Sequence, residues 1–247
     1  MGIEHSKILA REEVAQGTMA FHLAKPAGFD FRPGQAFEIQ LPGATPGESK
    51  DERSHAFSIV SAPHESELVF ATRMRDSVYK RALRALPVGA ELDIDGPFGS
   101  LTLHKNTARA GVLIAGGIGV TPFMSMLRNA AMQQSQQSQQ SQQDLLLLYS
   151  NRRPEDAAFL SELQALEKKN PKFRLKATMT DMAHSSVDWS GDRQMIDREW
   201  LQQAIEGLAN PIFYVAGPPS MVAAMQQLLL SASIDEDDVR SEEFFGY

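Results

Sequence analysis

The stretch Val112–Arg128, VLIAGGIGVTPFMSMLR, constrains this 247-residue chain more than any other. Its first four residues, Val112–Ala115, are apolar and short enough for a buried strand. Gly116, Gly117 and Gly119 follow, a turn in which backbone can pass close to another group without Cβ interference. Thr121 is then expected as an N-cap and Pro122 as the first helical residue, where its missing N–H costs nothing. Phe123, Met126, Leu127 and Ala130 recur at helical spacing, so the helix is expected to pack one face inward. Strand, glycine turn and helix start together offer free N–H groups and the positive end of a helix dipole, which suit a pyrophosphate. The turn reads G-x-G-x-x-P and lacks the third glycine of the dinucleotide fingerprint. A plain tight strand–helix junction has the same local needs, so the stretch alone leaves both readings open.

Upstream, short apolar segments at Lys7–Leu9, Met19–Leu23, Ala36–Leu41, Ala56–Val60, Leu68–Thr72 and Glu91–Ile94 alternate with breakers such as Lys25-Pro26 and Pro33-Gly34. Even spacing with turn signals predicts an antiparallel barrel or sandwich. One helix interrupts it, Ser77–Leu86, expected to bury Val78, Ala82, Leu83 and Leu86 before Pro87 and Gly89 end it. Gly96-Pro97-Phe98-Gly99 is read as closing this first unit and His104–Ala110 as a linker.

From Val112 onward strands and helices alternate, which implies a parallel sheet. Strands are expected at Leu145–Tyr149, Phe173–Thr180 and Ile212–Ala216. Helices are expected at Pro154–Lys168, with Phe159, Leu160, Leu163 and Leu166 inward, at Arg198–Gly207 behind an Asp197 cap, and at Ser220–Ala232. Gln133–Gln143, a near-repeat of Gln and Ser, cannot bury itself and is read as a surface loop or a polar helix extension.

Composition narrows the function classes. The chain has no cysteine, which excludes disulfides, thiolate zinc sites and any iron–sulfur cluster held by these residues. A net charge of −7 argues against general nucleic-acid binding. No run approaches the ~20 apolar residues of a membrane span and no secretory segment opens the sequence, so a cytoplasmic location is expected. The histidines and scattered acids show no metal-ligand spacing, and no metal site is expected.

Several further stretches fall in a familiar order. FRPGQAF at Phe31–Phe37, HAFSIVSAP at His55–Pro63, GPFG at Gly96–Gly99, GGIGVTP at Gly116–Pro122, YVAGPP at Tyr214–Pro219 and EEFFGY at Glu242–Tyr247 together resemble the ferredoxin–NADP⁺ reductase-like family. The resemblance implies two domains. One is an FAD-binding antiparallel Greek-key β-barrel over residues 1–105. The other is a Rossmann-like parallel α/β domain for NAD(P) over residues 110–247, its tail covering the flavin.

The resemblance also implies site residues. A flavin needs a hydrogen-bond partner near its reactive N5, a flat apolar wall, and cations or N–H groups on its phosphates. Ser58 is the group expected near N5, and Phe57 the wall. His55 stands where the family usually has an arginine on the flavin phosphate and offers one donor instead of a fork, with Arg53 as a nearby substitute. Thr72, Met74 and Ser77 complete the flavin side, Ser77 at a helix N-terminus. On the nucleotide side the resemblance implies Gly116, Gly117, Gly119, Thr121 and Pro122, then Ser150, Arg152 and Arg153, then Ala216, Gly217 and Pro218. Ala216 replaces the family's cysteine near the nicotinamide. Glu242 is expected to approach Ser58, and Phe244 to cover the flavin.

No acid lies between Leu145 and Pro154, while Arg152 and Arg153 sit where the adenosine ribose is usually read, so NADPH is expected ahead of NADH. Arg73, Arg75, Lys80, Arg81 and Arg84 form a basic cluster, read either as a solvated face or as a dock for an acidic electron carrier. The implied activity is hydride transfer from NADPH to FAD, then electron transfer to a separate carrier such as ferredoxin or flavodoxin. Alternatives are an NADH-dependent reductase of free flavin or ferric complexes, and a non-catalytic electron-transfer or regulatory subunit.

Overall fold

A computed structural model describes residues 2–42, 53–135 and 143–245. Residues 136–142 of the Gln/Ser repeat and Tyr247 of the tail lie outside them. The first half is an antiparallel sheet of β1 (Glu4–Ala15), β2 (Thr18–Ala24), β3 (Ala36–Gln40), β4 (Ser54–Ser58), β5 (Glu67–Arg73) and β6 (Glu91–Phe98), in the order β4-β3-β6-β1-β2-β5. Long β1 serves two neighbours in succession, pairing with β6 over Glu4–Lys7 and with β2 from Ile8 onward. The sheet curls until Val60 N donates to Val69 O at 2.7 Å, just beyond β4 and beside β5. Inward aromatic residues from four strands fill the barrel: Phe70 lies 4.7 Å from Phe57, 5.0 Å from Phe21 and 6.1 Å from Phe37 between ring centroids.

Helix α1 (Val78–Ala85) covers one end of the barrel, capped by Ser77 Oγ accepting from Lys80 N at 3.2 Å. Its buried residues are Tyr79 and Leu83, whereas Val78 and Ala82 face solvent. The expected face is thus displaced by one residue, because the Tyr79 hydroxyl finds the Ile39 carbonyl at 3.1 Å inside the barrel.

The second half is a parallel sheet of β7 (Gly111–Gly116), β8 (Leu145–Asn151), β9 (Phe173–Met179), β10 (Ile212–Gly217) and β11 (Val239–Glu243), in the order β11-β10-β7-β8-β9. Helices α2 (Thr121–Ser135) and α3 (Leu160–Lys169) pack on one face, α4 (Arg198–Ile205) and α5 (Pro219–Ser231) on the other. Burial on both faces explains why the central strands read as continuous apolar runs. Asp197 caps α4 by accepting from Trp200 N at 2.8 Å. The tail is more than a cover: Val239–Glu243 pairs in parallel with β10, and its charge suits an exposed sheet edge.

Three local expectations are corrected. The glycine turn is a 3₁₀ turn over Gly117–Val120 that runs straight into α2, so Thr121 is already helical and its hydroxyl donates to Ile118 O at 2.9 Å instead of capping. All of Thr121–Leu127 is buried, because this part of α2 is wedged between its own sheet and the barrel. The helix expected at Pro154–Lys168 is split into a 3₁₀ turn at Pro154–Asp156 and α3, with Phe159 at φ 60° between them. The end of β1 intervenes there: Gln16 N donates to Glu155 O at 2.8 Å.

The two halves share one apolar core, in which Val60, Val69 and Ala71 of the barrel meet Phe123, Met124 and Leu127 of α2. Ser125 Oγ donates to Ser61 O at 2.7 Å inside it. Arg128, 18% exposed, grips Glu162 of α3 through two bonds of 2.7 and 2.9 Å and reaches Glu65 of the barrel at 3.3 Å. The segment read as a linker is also anchored. His104 N and Nδ1 both contact Tyr214 Oη, at 2.9 and 2.8 Å, and its Nε2 lies 2.8 Å from Gln143 Nε2. Gln143 is therefore buried, contrary to its reading as the end of a solvated repeat.

Two predictions follow from this packing. Burial first, and then the charges of Arg240 and Arg109, hold the His104 pKa below its ordinary 6.5. Its contribution to stability is whole above that value and falls as the unfolded chain takes up a proton that the folded chain refuses. The gap in melting temperature between wild type and His104→Gln should therefore narrow between about pH 7.5 and about pH 5.5. At Gly119 a Cβ would stand 2.2 Å from Ala216 O and 2.7 Å from Gly217 Cα. Gly119→Ala should cost about 1–3 kcal/mol in urea denaturation, as overpacking does.

Candidate functional site

A cavity of about 310 Å³ lies where barrel, glycine turn and tail converge. Strand β4 lines it with four consecutive residues, His55, Ala56, Phe57 and Ser58. Phe57 is held flat by Phe70 and by Tyr79, whose ring lies 6.0 Å away. Ser58 Oγ is 4% exposed and has no hydrogen-bond partner among the described residues. A buried hydroxyl left so costs about 1–3 kcal/mol unless a bound group pairs with it.

The end of β5 and the start of α1 add Thr72, Arg73, Arg75, Ser77 and Lys80. Among the described residues three Lys and Arg cations line the cavity and no Asp or Glu does. Burial alone lowers the Lys80 pKa to about 8. The glycine turn contributes Ile118, the start of α2 Thr121, and the tail Phe244 and Phe245. Phe244 is pinned by its N–H, which donates to Gly217 O at 3.0 Å. The walls thus suit a flat ring with a polar edge and an anionic extension.

Of the residues expected on this side, His55, Phe57, Ser58, Thr72, Ser77, Thr121 and Phe244 line one cavity. Met74 does not; it lines a separate recess with Arg11, Met19 and Arg84. Arg73 and Lys80, read from the sequence only as members of a surface cluster, prove to be wall residues. Their signal was local charge: residues 73–80 carry three cations and only Asp76 against them. The cluster is split, because Arg81 pairs with Asp76 at the surface and Arg84 donates to Met74 O at 3.3 Å.

Beside the cavity, the strand order reverses between β7 and β10, the position at which open parallel sheets bind ligands beyond their carboxyl ends. Gly116, Gly117, Gly119, Ala216, Gly217 and Pro218 all lie there. Part of their smallness serves packing, since a Cβ on Gly116 would meet Met221 Sδ at 3.0 Å and Pro218 Cδ at 3.2 Å. Pro122 is buried in the first turn of α2. Glu242 sits opposite Ala216 in the β10–β11 register, away from the cavity wall, and burial raises its carboxyl pKa.

Ser150 ends the pairing of β8 with β7, and Arg152 and Arg153 follow just beyond the strand. Each guanidinium has an acid partner, which corrects the reading that none adjoins them. Arg153 holds Asp156 through two bonds of 2.8 Å, and Arg152 Nη2 reaches Asp181 Oδ2 at 2.7 Å. His184 and then Arg152 keep Asp181 below the ordinary carboxylate range. Asp156 comes from the turn just after β8, three residues from Arg153, and Asp181 from beyond β9.

Among the described residues no helix is long and apolar enough to cross a membrane. The oxidoreductase NAD-binding domain family matches residues 113–227. The chain is 28% identical over 228 residues to the glycine betaine monooxygenase reductase subunit of Chromohalobacter salexigens, covering 92% of this chain and 60% of that protein. It is 26% identical over 225 residues to the propane 2-monooxygenase reductase component of Mycolicibacterium smegmatis, covering 89% and 61%. It thus spans about three-fifths of the length of these curated relatives. The fold superposes on a ferredoxin NADP⁺ reductase from Neisseria gonorrhoeae, solved with bound FAD and NADP, with a TM-score of 0.79 at 22% identity, covering 98% of this chain and 99% of that one. With its antiparallel barrel, parallel nucleotide-type sheet and ordered motifs, the chain has the fold of the ferredoxin–NADP⁺ reductases, and its residues 113–227 belong to the oxidoreductase NAD-binding domain family.

Proposed function

We propose that this chain is a flavin-dependent reductase that draws electrons from a nicotinamide dinucleotide and delivers them to a separate acceptor protein. The observation that carries the reading is the cavity itself: among the described residues, an aromatic floor, a buried hydroxyl without a partner and three cations without an acid. FAD, bound there, would accept a hydride and release electrons singly. Phe57 supports the ring, and Ser58 Oγ supplies a hydrogen bond to its polar edge. Arg73, Arg75 and Lys80 balance the phosphates, with Ser77 at the N-terminus of α1 beside them. Phe244 and Phe245 exclude water from the open side. Glu242 faces Ala216 across the β10–β11 pairing, and burial raises its pKa. The crevice over the glycine turn receives the dinucleotide, and its backbone N–H groups face the pyrophosphate.

The acceptor is proposed to be an acidic electron-carrier protein of the ferredoxin or flavodoxin kind, or an oxygenase component as the relatives' names suggest. Arg81 and Arg84, on the outer side of α1 beside the cavity, offer a surface of matching charge. The visible spectrum of the purified protein tests the core of the reading. A flavin spectrum that bleaches with NADH or NADPH under anaerobic conditions is expected, and a colourless protein that takes up no added flavin would overturn it.

Nucleotide choice has two readings. Two arginines after β8 favour NADPH, whereas their ion pairs favour NADH by occupying the groups a 2′-phosphate would need. Arg152 is 75% exposed and can turn outward; Arg153 is held at both ends. If NADPH is the donor, Arg152→Ala should raise its KM by about 10- to 100-fold, the value of one charge-assisted bond, and leave NADH unchanged. Arg153→Ala should raise KM for both nucleotides by loosening the turn. Equal changes for both nucleotides in Arg152→Ala would reject its role as selector.

A further inference from the structure

A second cavity, of about 410 Å³, shares no residue with the one over Phe57. Leu145 at the start of β8 lines it, with Asn170 and Lys172 from the turn before β9, so it lies at the amino ends of the parallel strands. The glycine turn lies at their carboxyl ends, about 20 Å away along a strand such as β8. The barrel contributes Arg32 and Pro33, α2 contributes Met126 and Ala130, and the segment after β6 adds Leu103 and Lys105. Its charge is one-sided. Arg32, Lys105 and Lys172 line it with no Asp or Glu among the described residues, in a chain whose net charge is −7. Asp144, outside the lining, holds Lys172 at 3.1 Å. Arg32 and Lys105 have no acid partner among the described residues. His104 also lines the wall, but its ring nitrogens are engaged by Tyr214 Oη, Gln143 and the Arg109 carbonyl.

The two unpaired cations stand on braced backbone. Arg32 N donates to Gln35 Oε1 at 2.8 Å, and its carbonyl accepts from Gln35 N at 3.1 Å. Gly34, at φ 96°, lets this turn press on α2: a Cβ there would stand 2.1 Å from Leu101 O and 2.4 Å from Met126 Cε. On the other wall Thr102 O accepts from Arg240 Nη1 at 2.9 Å. Asn106 then turns the chain after Lys105, its Oδ1 accepting from Ala108 N at 3.1 Å. Walls from both halves of the molecule are thus set before any ligand arrives.

The space is too large for a bare ion and falls in the size range of small-molecule sites. Leu103, Met126, Ala130 and Leu145 give it an apolar floor, while Thr107 and Asn129 add neutral polar groups. A guanidinium pairs with a carboxylate through a two-pronged fork. We infer that this cavity binds a small organic carboxylate with an apolar body, the carboxylate on Arg32 and Lys105 and the body against Leu103, Met126 and Leu145. The site is independent of the flavin and nucleotide readings. Arg32 belongs to the barrel, whereas Lys105 leads into the parallel sheet, so a ligand held by both ties the two halves together.

Benzoate is the probe, titrated by calorimetry into the protein as purified, beside benzamide and inorganic phosphate. Benzoate should bind with a Kd of about 1 mM, and the other two about tenfold more weakly, since benzamide lacks the charge and phosphate the body. Arg32→Gln and Lys105→Gln, both at exposed positions, should each weaken benzoate by about fivefold, as loss of a partly exposed ion pair does. Ala130→Leu fills the floor, keeps the charges and should weaken benzoate by about tenfold. At about ten times its Kd, benzoate should raise the melting temperature of wild type by about 2–4 °C and leave that of the Arg32→Gln/Lys105→Gln double variant level. Absence of benzoate binding overturns the proposal, as does equal binding of benzamide or of phosphate. Benzoate binding that survives undiminished in the double variant, or in a folded Ala130→Leu, places the ligand elsewhere and also overturns it.

Discussion

The molecule depends on a close approach of two backbones. Gly119 lies against the carbonyl of Ala216 with no room for a side-chain carbon. The contact seats the turn after β7 on the end of β10, the two strands between which the strand order reverses. It sets where α2 begins, and α2 in turn carries the contacts that hold the barrel. Ser125 reaches Ser61 and Arg128 reaches Glu65 from that one helix, while Phe123 and Leu127 enter the shared core. A residue without a side chain thus fixes the relation between the two walls of the cavity.

That relation is held by apolar packing first and by polar bonds second. The core of the parallel sheet runs without a break into the barrel through Val60, Val69 and Ala71. Around it the polar ties are few and directional, such as the two bonds from Arg128 to Glu162. The cavity follows from what the core leaves out. Its floor is the last aromatic residue of the barrel, Phe57, and its rim is the row of cations that could not be buried elsewhere.

Much of this could be read from the chain. Runs such as Leu145–Leu148 announce strands buried on both sides, and the strand–glycine–helix stretch announced the crevice. What the chain concealed was decided by distant partners. Phe159 breaks a helix because β1 reaches its neighbourhood, and Tyr79 replaces Val78 on the buried face because a carbonyl of β3 awaits its hydroxyl. Val239–Glu243 was legible only as the start of a tail over the flavin, because an edge strand, paired on one side only, needs no apolar pattern. Asp156, three residues from Arg153, was within reach of a local reading, whereas Asp181, the partner of Arg152, lies beyond β9 and only the fold brings it near. Periodic burial is visible locally; the pairing of charges across segments is not.

Strand β11 has a mechanical consequence. It is an edge strand of its sheet, and the two residues that follow it, Phe244 and Phe245, line the cavity. Local opening costs least at such margins, where backbone bonds lie near solvent and few apolar contacts must be broken. The screen can therefore lift by fraying of one margin, with the barrel, the glycine turn and the shared core left still. In this architecture the shutter is separate from the frame, and the passage of a large planar molecule need not disturb the distances that its chemistry requires.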